Sequence, residues 1–311
     1  MLNSTKNGEN GRMKNKNKLI GAAAALAANT IFGFSFIFSK MALSAAHPLI
    51  ILSVRFTVAI IVMSLLTLTG KFRLSLKGKP KKKLLIMALA QPLFYFIFEL
   101  YGLSLVSSAL SGVIIALVPV AVMLLSLLFL GEKPGLLQGV CTAVSLVSVS
   151  VMSIISNDGK QNRISGILLL IAAVLCAAVF NILSRGESER FSPFERTWFM
   201  FSVSALGFNA AAIAVLRGKY ISELVAAAGS YNFWVAIFYL AVISSVAAFL
   251  LYNYSTTLIS ATRAASFSNI ITVVTVIAGV TILHEHFTPV QYILCAFIIL
   301  GVWGVNSDIK R

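Results

Sequence analysis

Residues 84–130 read LLIMALAQPLFYFIFELYGLSLVSSALSGVIIALVPVAVMLLSLLFL, forty-seven positions with one charged residue, Glu99. A helix needs about 20 apolar residues to cross a hydrocarbon core of ~30 Å, so the stretch is long enough for two crossings. The polar step at Ser107 and Ser108 divides it into runs at 84–105 and 109–130. The apolar residues are continuous rather than alternating, which excludes a membrane β-barrel.

Working outward, the same pattern recurs along the chain. Further runs fall at 19–39, 48–68, 136–155, 164–184, 198–216, 233–253, 264–283 and 290–305. The fold class is therefore an all-α polytopic membrane protein with ten transmembrane helices. Composition agrees: 59% of the 311 residues are hydrophobic and 11% charged, against about 25% charged in soluble domains. The first run exceeds a signal-peptide core and lacks a small-residue cleavage site, so it is expected to stay in the mature chain.

The net charge of +15 lies in the gaps between runs, not on an amphipathic face, and so reads as a topology signal rather than a nucleic-acid footprint. With the N-terminus inside, the inner segments hold 19 Lys and Arg residues, among them Lys14, Lys16, Lys77, Lys79, Lys81, Lys82 and Lys83. The outer segments hold five: Lys40, Lys160, Arg163, Arg217 and Lys219. That asymmetry places both termini in the cytoplasm. Cys141, Cys176 and Cys295 all lie in apolar runs, without metal or disulfide spacing.

The chain repeats itself. Residues 145 apart match at Gly21/Gly166, Ser39/Ser184, Lys40/Arg185, Pro48/Pro193 and Phe56/Phe201; residues 153 apart match at Tyr101/Tyr254, Leu105/Leu258, Ser107/Ser260, Glu132/Glu285 and Gln138/Gln291. Runs 1–5 thus correspond to runs 6–10. An odd number of crossings per unit inverts the second unit, giving a pseudo-two-fold axis in the membrane plane, the architecture of alternating-access transporters. The expected organisation is a basic tail at 1–18, one repeat at 19–156, a second at 157–307, and a short C-terminus at 308–311.

Phe32-Gly33-Phe34-Ser35-Phe36 with Lys40, the Arg55-Phe56 pair and the Gly131-Glu132 step resemble the EamA family of the drug/metabolite transporter superfamily. The resemblance covers nearly the whole chain as two tandem units. Phe32 stands where that family often has Trp, and Met200 takes the place of a second Arg55. The resemblance implies a multi-pass cell-membrane exporter of small organic metabolites, amino acids or related compounds among them.

Ionisable groups inside spans cost roughly 2.5–3.5 kcal/mol each on insertion scales and are functional candidates by default. Arg55 and Glu99 stand out. An ion pair between them would lock spans 2 and 3 together; alternatively Arg55 holds a substrate carboxylate and Glu99 exchanges a proton as the coupling group. Asn29, Ser35, Gln91, Tyr95, Asn181, Tyr239, Ser244, Ser268 and Asn269 are the polar candidates for substrate binding beside Arg55, although such residues also serve as glue between helices. Phe34, Phe94 and Trp198 are further candidate aromatics for the lining. Pro92 and Pro119 interrupt the amide ladder and mark candidate gating bends. Glu132 and Glu285 read as caps at span ends.

No phosphate-binding loop or soluble nucleotide domain is readable, so transport by this chain would draw on an ion or solute gradient. The expectation is no cofactor, no nucleic acid and no metal; His284-Glu285-His286 is an adjacent cluster without metalloprotease spacing. Partners are a small-molecule substrate, the lipid bilayer and protons. A passive channel, or a carrier for other metabolites or drugs, is the rival; no nucleophile with a nearby base can be placed for an intramembrane enzyme.

The topology is checked by labelling. A cysteine at Lys160 should react with an impermeant maleimide added to intact cells, and one at Lys79 should react only after lysis; the reverse pattern overturns the orientation.

Overall fold

The structure is a computed structural model that describes residues 2–70, 72, 74–130, 135–155, 164–259, 264, 267–284 and 288–307, with side chains left out for 2–16 and for a few helical positions including Asn269. Glu132, Glu285 and His286, and the Gly131-Glu132 step, lie outside the described residues.

The described chain is a set of helices: α1 (Leu2–Leu43), α2 (Pro48–Leu68), α3 (Lys82–Leu105), α4 (Ser108–Ile115), α5 (Val118–Leu130), α6 (Leu136–Ile155), α7 (Ile164–Glu187), α8 (Pro193–Leu216), α9 (Tyr220–Ala228), α10 (Tyr231–Leu258), α11 (Asn269–Thr281) and α12 (Pro289–Ser307). Seven helical segments among the described residues are long and apolar enough to cross a membrane, the first at Asn17–Leu43. The runs expected at 136–155, 264–283 and 290–305 fall on shorter apolar stretches, Gly139–Ser148, Ile270–Thr281 and Pro289–Gly301.

Local chemistry sets the helix ends. Proline at the first helical position has its φ already set and no amide to orphan, and Pro48 and Pro193 both use that place. His47 accepts the Leu49 amide at 3.2 Å. Ser192 and Glu195 form a reciprocal capping box, so α8 begins five residues before the expected start at Trp198. Glu195 also takes Lys79 at 3.0 Å and the Ser75 amide at 2.9 Å, tying the α2–α3 loop to α8.

Two helices are broken by π-turns, at Leu89–Phe94 in α3 and Tyr239–Ala247 in α10. In α3 the cause is Pro92, which lacks a donor; Gln91 is extended at φ −145° and ψ 124°. The run expected at 109–130 is likewise two helices, because the chain turns at Ala116 and Leu117 and Pro119 sits in the first turn of α5. Single extended residues, Val106 (φ −136°) and Ile259 (φ −126°), end α3 and α10. They lie 153 positions apart, and the capping residues His47 and Ser192 lie 145 apart.

The packing follows that repeat. α1 packs on the latter half of α10 and on α11; α7 packs on the latter half of α3, on α4 and on α5. α2 meets α8, α4 meets α11, and α6 meets α12. Among the described residues, exchanging α1 with α7, α2 with α8, α6 with α12 and the latter half of α3 with that of α10 leaves their mutual pairings unchanged. Without a hydrophobic force between helices in lipid, small residues that allow close approach matter most. A Cβ at Gly102 would lie 3.0 Å from the Gly166 carbonyl oxygen, and one at Gly166 would lie 3.1 Å from that of Gly102.

Gly139 faces open space. Overpacking costs about 1–3 kcal/mol, so Gly102→Leu should lower the unfolding temperature of the purified protein clearly while Gly139→Leu leaves it near wild type. Equal effects would show that the α3–α7 approach is not limiting.

Candidate functional site

Seven helices converge on one cavity. α1 lends Asn29, Phe32, Ser35 and Phe36; α3 lends Gln91, Tyr95, Phe96 and Glu99; α4 and α5 lend Ile115 and Val118. α7 contributes Ala177, Phe180 and Asn181, α10 contributes Phe249 and Tyr252, and Ser268 and Ile271 close it at α11. Its volume is about 60 Å³, room for on the order of four waters at ~10–15 Å³ each. A metabolite-sized cargo therefore enters only as the helices part.

The lining obeys the repeat. Phe32/Ala177, Ser35/Phe180 and Phe36/Asn181 are 145 apart, whereas Phe96/Phe249, Glu99/Tyr252, Ile115/Ser268 and Val118/Ile271 are 153 apart. The remaining lining residues, Asn29, Gln91 and Tyr95, all come from the first half. The cavity is thus built around the pseudo-symmetry axis of the packing.

Its walls are aromatic. Phe32 stands edge-on to Phe249 at 5.3 Å, Tyr95 to Phe96 at 4.9 Å, and Phe180 lies 6.2 Å from Tyr252. The amides of Asn29 and Asn181 donate back to the carbonyls of Ala25 and Ala177, each at 2.7 Å. The Tyr252 hydroxyl donates to Asn181 Oδ1, and the Ser35 hydroxyl donates to the Phe32 carbonyl at 2.6 Å.

Two polar atoms in this lining have no partner. Glu99, 2% exposed, leaves Oε2 unbonded, and Ser268, 5% exposed, leaves Oγ unbonded. An unsatisfied buried polar group costs about 1–3 kcal/mol, and more when charged.

Several expected members stand elsewhere. Arg55 forms no ion pair with Glu99; the described ion pairs are Lys79–Glu195 and Arg190–Glu187. Arg55 Nε donates to Ser245 Oγ at 2.9 Å and a terminal nitrogen donates to Ser244 Oγ at 3.3 Å, both at the π-turn of α10. The guanidinium also lies 4.2 Å from the Phe96 ring centre. Hydroxyl dipoles and a ring face hold it directly, and the Glu99 carboxylate acts on it from beyond ion-pair distance. Arg55 and Ser244 therefore bind α2 to α10 and do not line the cavity.

Tyr239 is also off the cavity, stacked on Phe38 at 3.9 Å and donating to the Ile31 carbonyl at 3.0 Å. Phe34 and Phe94 are exposed on the apolar surface, and Trp198 reaches Ser64 at 3.4 Å. The side chain of Asn269 lies outside the described residues, and no group of metal-ligating side chains occurs among the described ones.

Sequence reading missed Arg196, which is one of the 19 Lys and Arg residues counted in the inner segments. It is fully buried: one terminal nitrogen donates to the Ser184 carbonyl at 2.7 Å and Ser184 Oγ at 2.8 Å, the other to the Asn253 carbonyl at 2.7 Å. The signal was present in the Ser192-Pro193-Phe194-Glu195 capping box, which starts α8 early enough to carry Arg196 inside. The aromatic wall formed by Phe180, Phe249 and Tyr252 was missed too, because apolar periodicity does not separate cavity from core.

A helical repeat packed about a central, partly polar cavity is the build of a membrane transporter. The chain matches the model of the EamA-like transporter family over residues 19–154 and 164–307, and it belongs to that family. It is 32% identical over 296 residues to the "Uncharacterized transporter YcxC" of Bacillus subtilis (strain 168), with 93% of each chain covered. A crystal structure of a protein 17% identical to it shares the fold, with a TM-score of 0.65, over 93% of this chain and 96% of that one. The chain is thus a multi-pass membrane transporter of the drug/metabolite type.

Arg196→Leu leaves the Ser184 and Asn253 carbonyls short of donors at about 1–3 kcal/mol each. The purified variant should unfold at a distinctly lower temperature than wild type. An unchanged unfolding temperature would show that Arg196 is not the staple between α7, α8 and α10.

Proposed function

We propose that this protein is a secondary active exporter that moves small organic metabolites across the cell membrane by alternating access. In this reading ten spans form two inverted repeats, 19–156 and 157–307, and both termini are cytoplasmic. The observation that carries the reading is the cavity lined at repeat-equivalent positions. When two inverted units surround one site, rocking one against the other exposes it first to one side and then to the other. The small volume of the cavity agrees with a site that opens in turn rather than a standing pore.

Asn29, Ser35, Gln91, Tyr95, Asn181 and Ser268 contact the cargo, and Glu99 takes up and gives up the coupling proton. The π-turn at Pro92 is the bend where α3 flexes, since its ladder is already open. Pro119, in the first turn of α5, marks a second. Outward direction and the cargo class, amino acids and related compounds, rest on membership of the family.

The test is counterflow in proteoliposomes preloaded with mixed amino acids and amines, with and without a pH gradient. Saturable exchange is expected, with its response to the gradient lost in Glu99→Gln. Saturable exchange in which Glu99→Gln keeps that response removes Glu99 from coupling, and linear flux without counterflow makes the protein a channel.

A further inference from the structure

We propose that the cavity selects a cargo whose only charge is a cationic amine, with Glu99 holding the ammonium and the aromatic wall holding an uncharged body. The proposal rests on the exporter reading above and narrows its cargo at that same site, from amino acids and related compounds to related amines that lack the carboxylate.

The charge inventory of the lining carries it. Glu99 is the one charged side chain among the described lining residues, 2% exposed, with Oε2 unbonded. The cation that sequence pairs with it is spent elsewhere: Arg55 is held by Ser244, Ser245 and the Phe96 ring. The repeat supplies no second cation either, because the position equivalent to Glu99 is Tyr252 and the one equivalent to Arg55 is Met200. A cargo carboxylate or phosphate would find no cationic side chain among the described lining residues, since Arg55 stands behind the Phe96 ring and reaches the site through space alone. A buried anion without a direct partner is strongly disfavoured.

Part of the neutral donor set is already committed: both lining asparagine amides donate to their own helices, the Ser35 hydroxyl to the Phe32 carbonyl and the Tyr252 hydroxyl to Asn181. A cation, by contrast, gains twice over. It pairs with the Glu99 carboxylate, and it faces aromatic rings whose negative faces attract it by about 0.5–2 kcal/mol. Seven of the seventeen lining residues are Phe or Tyr, so an ammonium attached to an apolar body meets favourable contacts on several sides. Ser268 Oγ, the second unbonded atom, is available to a neutral polar group on that body.

Three probes of one shape separate the possibilities: phenethylamine, L-phenylalanine and 3-phenylpropionate, measured by calorimetric binding to the purified full-length protein in lipid nanodiscs. Phenethylamine should bind at least tenfold more tightly than L-phenylalanine, and 3-phenylpropionate should bind weakest. Glu99→Gln, which keeps the shape and removes the charge, should cost phenethylamine at least tenfold in affinity. L-phenylalanine or 3-phenylpropionate binding as well as the amine overturns the proposal, and so does no binding of the amine. The wild-type ranking needs no variant, so a Glu99→Gln protein that fails to fold leaves the proposal decidable. The transport reading fails separately, if none of the three probes and none of the mixed amino acids and amines shows saturable counterflow in proteoliposomes.

Discussion

Backbone amides that cross hydrocarbon must find partners inside the protein, and this constraint decides where the chain is allowed to break. The interruptions fall at matched places in the two halves: π-turns at Leu89–Phe94 and Tyr239–Ala247, and extended residues at Val106 and Ile259. At each, helices from the other half or a side chain help to cover the opened ladder. Lys40 donates to the Val106 carbonyl at 2.6 Å, and Arg55 sits on the serines of the second π-turn. Breaks protected in this way give helices that can bend without exposing unpaired amides to lipid.

Upon that symmetric backbone the side chains are asymmetric. Ser244 and Ser245 in α10 stand where α3 has Gln91 and Pro92, and Arg55 on α2 stands where α8 has Met200. One half therefore fastens its π-turn with a buried cation and two hydroxyls, and the other breaks its ladder with a proline. The same asymmetry runs through the cavity, where Glu99 faces its counterpart Tyr252, already bonded to Asn181.

The two buried arginines show how a membrane interior tolerates charge. Both are held by hydrogen bonds from several directions. Arg196 is held by backbone carbonyls and hydroxyls at the junction of α7, α8 and α10, and Arg55 by hydroxyls and a ring. Spreading a cation over several dipoles satisfies it without a direct ion pair, and Glu99 Oε2 keeps no hydrogen-bond partner in the cavity lining.

Helicity, the apolar runs and the repeat were legible in the sequence, because hydropathy and spacing are local properties and the membrane enforces them segment by segment. Asn29, Ser35, Gln91, Tyr95, Glu99, Asn181 and Ser268 could be picked out for the same reason: polar residues are rare in such runs. Their convergence was not legible, nor was the diversion of Arg55 to Ser244 and Ser245, nor the separation of Tyr239 from the cavity. Those outcomes depend on which face each helix turns to its neighbours, and apolar faces toward lipid and toward protein look alike in sequence. Only tertiary packing distinguishes them, since close approach at positions such as Gly102 and Gly166 sets the rotation of each helix and so selects the side chains that meet at the axis.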